Sequence, residues 1–242
     1  MEPRELSGNA APASAAEATA GRAPKRGASN AKRTVRWTPT FWFRCLVHAI
    51  SIAPAVWFAA HYLTGGASAN PLQEATYFTG DWALRFVVAS LACTPLNSLF
   101  GFKPALKVRR ALGLYGFFYA LAHFLIFIGI DYQFDLQLIW LDLASKRYVL
   151  VGLAALLIFA ALAITSTRLW MKRLGKRWKV LHRLVYLAIP LAVVHYVWLV
   201  KADIRTPVVY GIIAGTFLIL RVPAVRSTMA RLLTPVRRAT NM

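Results

Sequence analysis

Between Phe41 and Val222 the chain is a succession of apolar runs, each close to the length of a membrane-crossing helix, and that feature removes most soluble folds from consideration. The runs are Phe41–Leu63, Gly80–Phe100, Ala111–Ile130, Tyr148–Thr165, Leu181–Val200 and Pro207–Val222. With 58% hydrophobic and only 16% charged residues, the bilayer is the solvent that fits. The expected fold is an all-α integral membrane protein, a bundle of six transmembrane helices.

Lys and Arg gather on the cytoplasmic side of membrane proteins. Here they mark the N-terminal tail, the connection Lys103–Arg110, the connection Arg168–Lys179 and the residues from Arg221 onward. The alternate connections carry Glu74, Asp131, Asp135, Asp142 and Asp203. Both termini are therefore expected in the cytoplasm. Residues 1–36, rich in Ala, Gly, Ser, Pro and basic side chains, read as a disordered basic tail, 37–222 as the six-helix domain and 223–242 as a second basic cytoplasmic tail. The first apolar run is longer than a signal-peptide core and is expected to stay as an anchor.

The net charge of +20 is spread over juxtamembrane patches and matches no nucleic-acid module, so anionic membrane lipid is the expected partner and nucleic acid is not. Cys45 and Cys93 form no spaced ligand set and read as small buried hydrophobes. The chain has no phosphate-binding glycine loop, nucleophile elbow or H-E-x-x-H, and no internal repeat is evident. Hydrolytic and ATP-driven chemistry lose their support.

What remains chemically distinctive is histidine inside apolar helices. Ionisable residues at membrane depth are functional candidates, and neutral imidazole is a common ligand of iron. At about 1.5 Å per residue, His123 and His195 lie roughly 18 and 21 Å from the inner ends of their spans. They can share one level, where two imidazoles could hold a haem between helices. His182 sits at the inner end of the same span as His195, rotated roughly 140° from it on an ideal helix. Pro190 lies between the two and is expected to bend the helix. His48 is the nearest partner for His182 in an inner site. His61, beside Trp57 and Tyr62, fits an interfacial belt, as do Trp170, Trp178, Trp198, Tyr186 and Tyr196. Asp81 and Arg85 are spaced to pair with each other, and Arg85 could instead face a haem propionate. The basic stretch Arg168–Lys179 suits lipid phosphates or a flavin phosphate.

The stretch Leu162–Trp198 reads LAITSTRLWMKRLGKRWKVLHRLVYLAIPLAVVHYVW; with RRALGLYGFFYALAHF at 109–124 and TPL at Thr94–Leu96, it resembles the MsrQ (YedZ) family within the wider ferric-reductase-like transmembrane group. The resemblance covers about residues 37–222. It implies a b-type cytochrome of the bacterial inner membrane, with His123, His182 and His195 on the haem-associated histidines and haem iron as the metal. One haem b is implied and a second left open, and family members are also described as binding FMN. It further implies electron transfer from the quinone pool, or from a cytoplasmic flavin reductase, to a periplasmic molybdenum-containing methionine sulfoxide reductase that repairs oxidised proteins. The chain would supply electrons and have no catalytic residue of its own. Two readings stand beside this one. The first is a stand-alone transmembrane ferric or quinone reductase. The second is a cofactor-free scaffold whose histidines only hydrogen-bond between helices.

Overall fold

The computed structural model describes residues 39–200, 203–222, 224–225 and 227–228; both expected tails, 1–36 and most of 223–242, lie outside the described residues. The described chain is all helical. Its long elements are α1 (Pro39–Leu63), α2 (Pro71–Phe100), α3 (Lys103–Leu125), α5 (Arg147–Ile164) and α8 (Val185–Val200). The short ones are α4 (Leu136–Ser145), α6 (Arg168–Leu174), α7 (Lys176–Leu181) and α9 (Arg205–Ile219). A six-residue π-helix, Ile126–Asp131, extends α3, and a 3₁₀ turn, His182–Leu184, joins α7 to α8.

Five of these helical runs are long and apolar enough to cross a membrane: Pro39–Leu63, Pro71–Phe100, Lys103–Asp131, Arg147–Ile164 and Lys176–Val200. The segment expected as a sixth span, Pro207–Val222, forms α9, an apolar helix of 15 residues that falls short of the length of the five spanning helices. α2 begins nine residues before its apolar run, because Asn70 accepts a hydrogen bond from Gln73 N and Pro71 fills the first turn. It ends where Gly101 turns left-handed at φ 71°.

The outside of the bundle carries large side chains such as Leu46, Ile50, Phe118, Leu157, Leu187 and Ile212, as expected where lipid is the solvent. The inside is built from α2, α5, α8 and α9, where Leu84, Val87, Leu91, Phe159, Leu162, Ala188 and Ile189 form one cluster. α2 packs most closely on α3, and α5 on α8; α9 bridges α8 and α2, while α3 also touches α1 and α5. Cys93 is buried as expected, but Cys45 is exposed on the outer face of α1, where an apolar thiol can meet lipid.

α1, α2 and α8 each contain a proline, and in α1 and α2 backbone groups near it bond to side chains from other helices or the C-terminal segment. In α1, next to Pro54, the hydroxyl of Tyr119 accepts from Ala55 N at 3.0 Å and donates to Ser51 O at 3.1 Å. A side chain of α3 thus enters the i to i−4 ladder of α1. In α2, Pro95 has no N–H for the carbonyl of Leu91, which accepts instead from Arg221 Nη2 at 2.8 Å.

Candidate functional site

Two helix pairs present one histidine each. On α3, His123 Nδ1 lies 2.9 Å from the carbonyl of Thr76 on α2; on α8, His195 Nδ1 lies 2.7 Å from the carbonyl of Tyr148 on α5. A carbonyl only accepts, so each Nδ1 carries the proton and each Nε2 keeps its lone pair. The ring centroids are 6.1 Å apart with an angle of 87° between planes.

A glycine stands one helical turn beyond each accepting carbonyl and clears space for the ring. An ideal Cβ on Gly80 would lie 3.2 Å from His123 Nδ1, and one on Gly152 would lie 2.5 Å from His195 Nδ1. In both pairs the histidine follows its carbonyl by 47 residues. The interval from Thr76 to Tyr148 also separates Gly80 from Gly152 and His123 from His195. No repeat is evident in the sequence, yet the backbone holds one in geometry, carried by few identical side chains.

Both imidazoles line a cavity of about 290 Å³ whose walls are mostly apolar, with Leu84, Val87, Phe124, Phe127, Leu153 and Phe159 among them. Its polar members include Asp81, Tyr196, Tyr132 and Lys146. The last two belong to the connection after α3, where Asp142 on α4 accepts from both Tyr132 and Lys146. That connection turns through two consecutive left-handed residues, Gln133 at φ 48° and Phe134 at φ 61°. With the π-helix before it, this irregular backbone brings Asp131 and Tyr132 back over the cavity.

The remaining expected residues lie elsewhere. His182 Nε2 is 3.3 Å from the Thr165 hydroxyl, and its ring stacks on Trp178 at 4.0 Å. It does not line the cavity of His123 and His195. His48, expected as its nearest partner, contacts the Tyr115 hydroxyl at 3.0 Å instead. Arg85 donates to Asp81 at 3.2 Å and to the Tyr210 hydroxyl at 2.9 Å, and lies over the Trp82 ring. The pairing expected from its spacing is therefore present, while the cavity wall receives Asp81 and not Arg85. His61 stacks on Trp57 at the edge of the bundle. Two residues read as belt aromatics have other places: Tyr196 lines the cavity, and Trp178 donates to the Thr165 carbonyl at 2.9 Å while covering His182. The T-S-T stretch gains a physical reading: Thr165 meets His182, Ser166 is buried, and Thr167 caps α6.

Haem is the group to test against this arrangement. The two rings lie 6.1 Å apart by centroid, and a haem at this place would take its imidazole ligands from His123 and His195. Both rings are fixed through Nδ1 by backbone acceptors, the usual arrangement around a metal-bound histidine. Among the described residues no three His, Cys, Asp or Glu side chains gather into a bare-ion site. A porphyrin, which supplies four nitrogens, asks the protein for only one or two ligands. The residues present fit the group.

Comparison with known proteins agrees. Residues 79–193 match the family model for the ferric reductase like transmembrane component. A "Protein-methionine-sulfoxide reductase heme-binding subunit MsrQ" of Rhodospirillum rubrum is 46% identical over 185 residues, covering 76% of this chain and 89% of that protein. Its counterpart in Caulobacter vibrioides is 36% identical over 187 residues, 77% and 89% of the two chains, and that of Xanthomonas euvesicatoria pv. vesicatoria 41% over 201 residues, 79% and 92%. Five apolar helices of spanning length, paired histidines in an apolar cavity and identity along most of both chains lead to one conclusion: this membrane protein belongs to the MsrQ family.

Proposed function

We propose that the chain is the haem-binding electron-transfer subunit of a methionine sulfoxide reductase system in the bacterial inner membrane. It would take electrons from the quinone pool or a cytoplasmic flavin reductase. It would pass them to a periplasmic molybdenum-containing partner that reduces oxidised methionine. In this reading all six apolar helices span, both termini are cytoplasmic, and residues 1–36 and 223–242 are basic tails around the 37–222 domain.

His123 and His195 would hold a b-type haem, and when bound that group supplies one-electron redox chemistry. The observation that carries the reading is the matched pair of Nδ1 bonds to Thr76 O and Tyr148 O, which leaves the Nε2 lone pairs of two cavity-lining histidines available to a metal. The backbone acceptors orient the rings, and the apolar walls exclude water from them. Tyr132 and Lys146, both bonded to Asp142, line one side of the cavity. His182 marks the electron-input end in this proposal. Arg85 uses Nε on Tyr210 and Nη2 on Asp81, and in this proposal it would offer its remaining donors to a haem propionate. FMN remains part of the reading through the family resemblance alone.

The test is haem content and the reduced optical spectrum of purified protein. His123→Ala and His195→Ala are each expected to lose most of the b-type signal, and an intact signal in both overturns the ligand assignment. The match to ferric reductase like components supports a second reading, a stand-alone ferric or quinone reductase. Reduction of ferric chelates in cells lacking the sulfoxide-reducing partner would favour it.

A further inference from the structure

At the end of the bundle away from Asp142, two guanidinium groups share one hydroxyl. Arg109 Nη1 donates to Thr94 Oγ1 at 3.1 Å, and Arg221 Nη2 donates to the same oxygen at 3.0 Å. Arginines drawn this close repel each other and normally enclose an anion. Among the described residues neither reaches a carboxylate; the three ion pairs lie at His61–Glu74, Arg85–Asp81 and Lys146–Asp142.

All three side chains of this cluster keep donors without a protein partner among the described residues. Arg221 Nε is buried without a hydrogen-bond partner. Arg109 uses only one of its guanidinium nitrogens in a side-chain bond. Thr94 accepts twice and has no acceptor for its own proton among the described residues, although threonines elsewhere in these helices donate to the carbonyl one turn back, as Thr79 does to Ala75 O. Pro95 sets the cluster up, since the Leu91 carbonyl it frees anchors Arg221 in place. His182 lies within the electrostatic reach of Arg109 and Arg110, so the positive field extends along this end of the bundle.

We propose that Thr94, Arg109 and Arg221 form a phosphate-binding seat at the basic end of the bundle. A carboxylate can be satisfied by one arginine fork, whereas a phosphate offers three terminal oxygens and up to two charges. That matches two guanidinium groups and a hydroxyl. The phosphate is carried either by an anionic lipid headgroup or by a phosphorylated cofactor such as a flavin nucleotide. The seat does not depend on haem ligation by His123 and His195.

The test uses the full-length protein, purified in a neutral detergent or placed in nanodiscs. Flavin mononucleotide is titrated by calorimetry beside riboflavin, which lacks the phosphate. Thermal unfolding is followed in nanodiscs of phosphatidylglycerol beside phosphatidylcholine. The seat predicts a preference for the phosphate-bearing or anionic member in at least one comparison, weakened about tenfold, or its thermal shift abolished, in Arg221→Gln and in Arg109→Gln. Arg221→Lys, which keeps the charge and loses the fork, should fall between. A response to flavin mononucleotide assigns the seat to a nucleotide, and one to phosphatidylglycerol alone assigns it to lipid. Because Arg109 is exposed, Arg109→Gln reports even if Arg221→Gln does not fold. The proposal is overturned if neither comparison separates the wild type from Arg109→Gln and Arg221→Lys.

Discussion

Gly152 and His195 are matched as gap and occupant: a methyl group on the glycine would stand 2.5 Å from the ring nitrogen that binds the Tyr148 carbonyl. At Gly80 the same addition leaves 3.2 Å to His123. Gly152→Ala is therefore expected to displace its imidazole and lower haem content strongly, with a stability loss of about 1–3 kcal/mol from overpacking. Gly80→Ala should have the weaker effect. Haem-to-protein ratio and detergent thermal unfolding of the two variants check the order, and an equal or reversed order contradicts it.

His182 lies apart from the cavity, stacked on Trp178 and against Thr165, so His182→Ala should leave the spectrum of a group held by His123 and His195 in place. Haem stoichiometry decides this directly. Complete loss of the b-type signal in His182→Ala would mean that His123 and His195 do not hold haem by themselves.

Tyr119→Phe removes the hydroxyl that enters the α1 ladder between Ser51 and Ala55. The helix can close its own bond afterwards, so the cost should be only about 1 kcal/mol. A small fall in the unfolding midpoint with unchanged haem content is the expected result.

Burial pushes the Asp142 carboxyl up, but hydrogen bonds from Lys146 and Tyr132 outweigh it and hold the group below the usual carboxylate range. The hydrogen bond to Asp142 is also the main reason that Lys146 is held above its ordinary value. The carboxylate's contribution to stability is then full above the unfolded carboxylate range and fades as pH falls through the depressed value. That of Lys146 is full below the ordinary lysine range and fades as pH rises through the raised one. Asp142→Asn should flatten both limbs of the unfolding midpoint against pH. A variant whose profile keeps the wild-type slopes would show that the contacts at the cavity's edge carry no such linkage.

The helices and the pairing of His123 with His195 were legible because hydropathy and rise per residue place an imidazole at a given depth without any knowledge of packing. Arg85 with Asp81 was legible for the same reason, since i, i+4 spacing is local. His182 was not, because its rotation depends on the 3₁₀ turn His182–Leu184 and on Pro190 within α8, and spacing on an ideal helix takes account of neither. Tyr196 was read as a belt aromatic because a Tyr near a helix end looks the same from sequence whether it faces lipid or a cavity. The recurrence of carbonyl, glycine and histidine at one interval stayed hidden because the carbonyls belong to Thr76 and Tyr148, whose side chains do not matter to the bond. The Thr94–Pro95 pair carried a signal that went unread: a proline within a helix announces a carbonyl in need of a donor.

The presentation of one ring by α2–α3 and the other by α5–α8 means that a haem held by both would clamp two halves of the polypeptide together. A ligand gripped from both sides binds only after the halves have docked, so its free energy of binding adds to the stability of the docked state. Cells starved of the cofactor should then accumulate a form held by the shared α2–α5–α8–α9 core alone, with a lower unfolding midpoint than the loaded protein.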